Sequence, residues 1–188
     1  MEIVLIRHGP PDFNGSRWLL RHRMRDLLDE YAKSRMFSQP PAETVAFLAQ
    51  CSTGKVACST LARSIDSARA LGHPSALQIR ELDEAELPCL PWKFPASYRV
   101  MAVAMRIAWF LGYSGNGRSY SSTRDRARAG AVRLAELAKC RGVLAVGHGI
   151  MNSLVSRQLV ASGWSISERS GSGYWSITRL CRAIPAAA

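Results

Sequence analysis

Cysteine is sparse and unpatterned in this sequence: Cys51, Cys58, Cys89, Cys140 and Cys181 are odd in number, widely spaced and include no CxxC pair. Such spacing indicates neither a disulfide framework nor a zinc site and fits a reducing cytoplasm. Long apolar runs are also missing. The longest, from Val100 to Tyr113, has Arg106 in its middle and Arg99 at its edge. It falls short of the roughly 20 residues a membrane span requires, and predicts a buried core helix instead. No basic stretch with a cleavage site precedes the first apolar run, so a secretory signal is not expected. Low-complexity tracts and internal repeats are absent, and 47% hydrophobic against 21% charged residues describes a globular chain rather than a disordered one. Acidic residues are scarce, 14 against 25 Lys plus Arg, leaving a formal charge of +11 that steers anionic partners toward the protein. The basic residues concentrate at Arg17, Arg21, Arg23 and Arg25 and at Arg124, Arg126, Arg128 and Arg133, in helical patterns that read as solvated faces. Aromatic residues are not interleaved among them as a single-strand nucleic-acid binder requires, so a nucleic-acid partner is not favoured.

What is present is an alternation. Short apolar runs rich in β-branched residues, Glu2 to Arg7, Lys55 to Ser59, Gly142 to Gly147 and Trp175 to Leu180, predict strands, with a weaker one over Ala76 to Arg80. Helical patterns fall at Arg17 to Lys33, Pro41 to Gln50, Leu61 to Leu71, Ser97 to Leu111, Ser122 to Arg141 and Met151 to Ala161. At 188 residues this describes one domain, a three-layer α/β/α fold with a mostly parallel sheet covered by helices on both faces. Pro88, Pro91 and Pro95 are too dense for a helix interior and predict a loop over the sheet edge.

Four segments at predicted strand ends carry chemistry, where open α/β sheets bind ligands. Arg7-His8-Gly9 puts a guanidinium beside a nitrogen nucleophile, with a glycine that lets backbone approach. In Ser59-Thr60-Leu61-Ala62-Arg63 a strand runs into a helix whose N-terminus attracts phosphate, and Arg63 adds a second guanidinium. Gly147-His148-Gly149 ends an apolar strand in a histidine that core packing explains poorly. Glu81-Leu82-Asp83-Glu84-Ala85-Glu86 supplies carboxylates in a basic chain.

In order and approximate spacing, Arg7-His8-Gly9, Arg63 after a Ser-x-Leu tract, Leu82-x-Glu84 and Gly147-His148-Gly149 resemble the histidine phosphatase superfamily, also called phosphoglycerate-mutase-like. Asn14 matches an asparagine that follows the first motif in many members. The resemblance implies a metal-independent phosphomonoesterase in which His8 attacks phosphorus and water cleaves the phosphohistidine. It implies that Arg7, Asn14, Arg63 and His148 hold the phosphoryl oxygens and that Glu84 protonates the leaving group. Asp83 and Glu86 stay open for that last role.

No metal or other cofactor is expected, because guanidinium groups supply the charge and His8, His22, His73 and His148 offer no ligand spacing. The expected partner is an anionic phosphorylated small molecule. A phosphoprotein or phosphohistidine substrate, a mutase-type phosphotransferase and a phospholigand-binding regulatory module remain alternatives. No adjacent arginine pair is placed to grip a second anionic group, and the segment after Asn14 lacks the mutase pattern, which favours the phosphatase. Small departures stand at Ser64 and at Ser67-Ala68. The substrate pocket is expected to be shaped by the segment from Arg17 to Met36 and by an insert at about 88–120 that includes Trp92, Trp109 and Tyr113.

Overall fold

The computed structural model describes residues 1–14, 18–19, 24–90, 96–115 and 117–183. Arg17, Arg21, His22, Arg23, Pro91, Trp92 and Pro95, singled out in the sequence, lie outside them. The element order is β1 (Glu2–Arg7), β2 (Trp18–Leu19), α1 (Met24–Lys33), α2 (Ala42–Ala49), β3 (Lys55–Cys58), α3 (Ala62–Ala70), β4 (Leu77–Gln78), β5 (Ala96–Ser97), α4 (Tyr98–Phe110), α5 (Tyr120–Arg141), β6 (Val143–Gly147), α6 (Gly149–Ala161), β7 (Ser165–Arg169) and β8 (Ile177–Cys181).

The main sheet has the order β4-β3-β6-β1-β8-β7. Strands β4, β3, β6 and β1 run parallel, and β8 and β7 complete the sheet antiparallel. Period-two alternation divides the central strands between two cores. Ile3, Leu5, Val143 and Ala145 face α5 and α6, whereas Val4, Ile6, Leu144 and Val146 pack with Cys58, Ala68 and Trp175 on the other face. Because β1 and β6 are apolar at nearly every position, both faces must be covered, which is the three-layer arrangement the sequence predicts.

Several boundaries differ from expectation. The helix predicted from Arg17 begins at Met24, since Trp18–Leu19 pairs antiparallel with Ala96–Ser97 as a separate two-stranded sheet. Strand β7 was not expected: it is an edge strand exposed at every position, so no burial pattern marks it. Helix α4 is not a buried core helix. Tyr98, Met101, Met105 and Trp109 turn inward while the opposite face stays in solvent. Around Pro88 the described part of the proline-rich stretch packs against the α4–α5 connection, where Tyr113 donates to the Cys89 carbonyl at 3.3 Å.

Candidate active site

Parallel pairing brings three of the four sequence motifs to one edge. Arg7 lies opposite Gly147 and Cys58 opposite Val146 in the register. Just beyond these pairs the His8 N–H donates to the Gly147 carbonyl at 3.0 Å and the Ser59 N–H to the Val146 carbonyl at 3.0 Å. His8, Ser59 and His148 therefore emerge side by side, with the His8 and His148 ring centroids 4.9 Å apart.

The protonation pattern of His8 follows from its neighbours. Its Nδ1 is 2.7 Å from the Gly9 carbonyl, which only accepts, so the ring proton sits on Nδ1 and the lone pair on Nε2. Arg63 Nε donates to that lone pair at 3.3 Å. Burial lowers the His8 pKa from 6.5 to about 3, and the charges of Arg63 and Arg7 push the same way against the opposing pull of the Gly9 carbonyl. The imidazole is thus neutral and nucleophilic at any ordinary pH. Gly9 is required here by contact: a Cβ would stand 2.5 Å from the Trp175 ring. Ser67, one helical turn after Arg63, accepts from the Gly9 N–H at 3.0 Å and donates to the Arg63 carbonyl at 2.6 Å, joining the first two motifs.

His148 is fully buried, and burial first, then Arg63, holds its pKa well below the usual imidazole value. Ser59 Oγ lies 2.6 Å from His148 Nε2 and accepts from the Leu61 N–H at 3.3 Å. The Ser59 hydroxyl is able to donate to Nε2, and in the tautomer where it does so the His148 ring proton sits on Nδ1. Nδ1 is buried and has no hydrogen-bond partner among the described residues, and the same holds for Arg7 Nε. Arg7 is held by the Ser172 carbonyl at 2.7 Å and lies 4.5 Å over the Tyr174 ring. Arg63, 1% exposed, is gripped by the Tyr31 and Ala32 carbonyls at 3.1 and 3.2 Å and stacks 4.7 Å over Tyr31. Carbonyl anchors aim both guanidinium groups without neutralising them.

The acidic cluster separates by partner. Asp83 is tied to Thr60, accepting from its N–H at 2.7 Å and its hydroxyl at 2.8 and 2.9 Å. Glu86 is exposed and 3.5 Å from Arg118. Glu84 lines the cavity with one oxygen, Oε1, held by the Ala85 N–H at 2.8 Å and by the Met151 N–H in the first turn of α6 at 3.3 Å. Arg126 fixes this loop through the Asp83 and Glu84 carbonyls at 2.6 and 3.1 Å, and Arg133 pairs with Glu81. These two arginines are therefore loop clamps, not merely the solvated face expected of them. Asn14 is exposed beyond β1, and His73 is exposed past the end of α3.

A cavity of about 920 Å³ opens over the strand ends, with Arg7, Arg63 and Glu84 in its lining and Tyr31, Tyr98 and Ala102 among its walls. Arg106, which sequence reasoning passed over, also lines it. Arg106 is anchored on the Ala85 carbonyl at 3.0 Å and has its Nη1 buried without a partner among the described residues. Trp109 does not face this cavity; it is buried in the core with its indole N–H on the Arg118 carbonyl at 2.8 Å. Sequence reasoning also missed Ser59, although it opens the Ser-x-Leu tract, and Tyr174, whose loop carried no signal. Among the described residues no group of three or more His, Cys, Asp or Glu side chains is placed to hold a metal ion.

The mycobacterial hydrolase 1 structure superposes with a TM-score of 0.66 at 20% identity, over 99% of this chain and 92% of that one. A mycobacterial glucosyl-3-phosphoglycerate phosphatase with VO3 gives 0.61 at 22% identity, over 95% and 91%. The phosphoserine phosphatase of Entamoeba histolytica with 3-phosphoglyceric acid gives 0.58 at 16% identity, over 95% and 89%. No curated protein matches the sequence. The family model of the histidine phosphatase superfamily (branch 1) matches residues 3–183, and the chain belongs to that superfamily.

Proposed function

We propose that this protein is a metal-independent phosphatase that hydrolyses a phosphomonoester through a phosphohistidine on His8. The observation that carries the reading is the state of His8: Nδ1–H is fixed on the Gly9 carbonyl, and the Nε2 lone pair accepts from Arg63 Nε at 3.3 Å on an imidazole that stays neutral down to about pH 3. His8 Nε2 forms the bond to phosphorus as the ester oxygen leaves, and Glu84 gives that oxygen its proton. The ionised Glu84 then takes a proton from water as water displaces His8. Arg7, Arg63 and the Nδ1–H of His148 donate to the phosphoryl oxygens, the preorganised stabilisation phosphoryl transfer mainly needs. Asn14 is assigned to the same oxygens from its place in the motif alone. Glu84 is preferred over Asp83 and Glu86 because those two are committed elsewhere, to Thr60 and to Arg118. The names of the similar structures, which include two phosphatases of phosphorylated metabolites, support a small anionic substrate, as does the +11 charge.

The test is aryl phosphate hydrolysis in excess EDTA by wild type, His8→Ala and Glu84→Gln, with intact mass after acid quench. Chelator-resistant turnover with a phosphate adduct is expected, both lost in His8→Ala. Turnover of an alkyl phosphate should fall by about 10² to 10⁴ in Glu84→Gln. An adduct and turnover that persist in His8→Ala would reject the nucleophile. Full alkyl phosphatase activity in Glu84→Gln would reject the acid.

A further inference from the structure

The apolar residues that α4 leaves in solvent are not scattered. Val100, Val103, Ile107, Phe110 and Leu111 are between 50% and 84% exposed. At about 100° per residue they occupy one arc of about 100°, opposite the inward-facing Tyr98, Met101, Met105 and Trp109. Arg99, exposed and four residues before Val103, stands at one edge of this stripe, whereas the Arg106 guanidinium turns inward to the Ala85 carbonyl. From residue 98 to residue 124 the chain carries Arg99, Arg106, Arg118 and Arg124 and no Asp or Glu. Val103 and Ala102 also line the cavity, so the apolar stripe runs up to its mouth.

We infer that α4 is an interfacial docking helix that seats the mouth of the cavity on an anionic lipid bilayer. A large apolar arc edged by Arg99, on a chain of net charge +11, suits insertion at the boundary of headgroups and acyl chains, where apolar burial and attraction to anionic lipid add. A second copy of the chain is the weaker occupant, because pairing α4 with α4 would bring two acid-free, arginine-bearing segments together. No helix of the described residues is long and apolar enough to cross a membrane, so the association is with one surface. It does not depend on the proposed catalysis and is read without substrate.

The experiment is cosedimentation of the full chain with vesicles of phosphatidylcholine alone or with about 30% phosphatidylglycerol, where the Debye length is near 10 Å at 0.1 M salt. The wild type is compared with the triple variant Val100→Ser, Ile107→Ser, Leu111→Ser, which keeps every charge and alters no cavity-lining residue. Circular dichroism and melting confirm that it folds. Wild-type partitioning onto the anionic vesicles is expected to exceed that onto phosphatidylcholine at least tenfold, and the variant to lose at least tenfold. Equal partitioning by variant and wild type would reduce the binding to the bulk charge of the protein and overturn the inference. So would no vesicle binding, including the case where sedimentation velocity shows a wild-type dimer that the variant dissolves.

Discussion

At the scale of single residues, the candidate site is governed by where protons sit. A Ser59 hydroxyl that donates to Nε2 holds the His148 ring proton on Nδ1, so Ser59→Ala should release the ring to place its proton on either nitrogen and weaken donation from Nδ1. A loss of about 10-fold in kcat with little change in KM is expected on an aryl phosphate, the pattern of an interaction made mainly in the transition state. Ser59→Thr, which keeps the hydroxyl, should recover most of it. His8 carries a second prediction, on stability. Below pH 6.5 an unfolded imidazole binds a proton that native His8 refuses until about pH 3, so acid drains stability between these limits and rising pH restores it. Melting followed from pH 7 to pH 4 should show a slope that falls by up to about 1.4 kcal/mol per pH unit in His8→Asn, the part that remains belonging to buried His148. The motif histidines and arginines were legible in the sequence because each ends an apolar strand or opens a helix. The choice among Asp83, Glu84 and Glu86 was not. Three carboxylates within four positions differ only in partners from distant parts of the chain, Thr60, Met151 and Arg118.

At the scale of elements, the strands that read clearly are those buried on both faces, since only burial on both sides produces an uninterrupted apolar run. Strand β7 and the two-residue strands β2 and β5 have no such constraint, and α4 was misjudged because apolar composition alone does not reveal which side of a helix is covered. The segment between β7 and β8 is legible only at its end, where a strand is expected from Trp175, yet it carries Tyr174 against Arg7 and His8 and Trp175 against Gly9. Trp175 adopts a positive φ of 61° and donates its N–H to the Arg7 carbonyl at 3.1 Å. Such a conformation costs a non-glycine residue on the order of 1–3 kcal/mol and persists only where surrounding contacts impose it. Gly9→Ala would drive a methyl into a ring that cannot retreat. It should lower stability by about 1–3 kcal/mol, seen as a reduced urea midpoint at unchanged m, together with activity.

For the whole molecule, the excess of positive charge sets how quickly a dianionic substrate arrives. Raising salt from 0.05 to 0.5 M should lower kcat/KM for an aryl phosphate several-fold, roughly in step with the shrinking Debye length, while kcat changes much less. An unchanged kcat/KM would mean that the field plays no part in capture. The contact between Trp175 and the Gly9 loop also orders events in time. A ribosome that has released β1 and the residue after it has already produced His8. The indole that rests on its loop follows more than 160 residues later, at about 5–20 residues per second. Even the sheet partner of β1 on that side, β8, follows every other described strand of that sheet in the chain. A growing chain therefore holds His8 without its finished surroundings until β8 has emerged, long after β1.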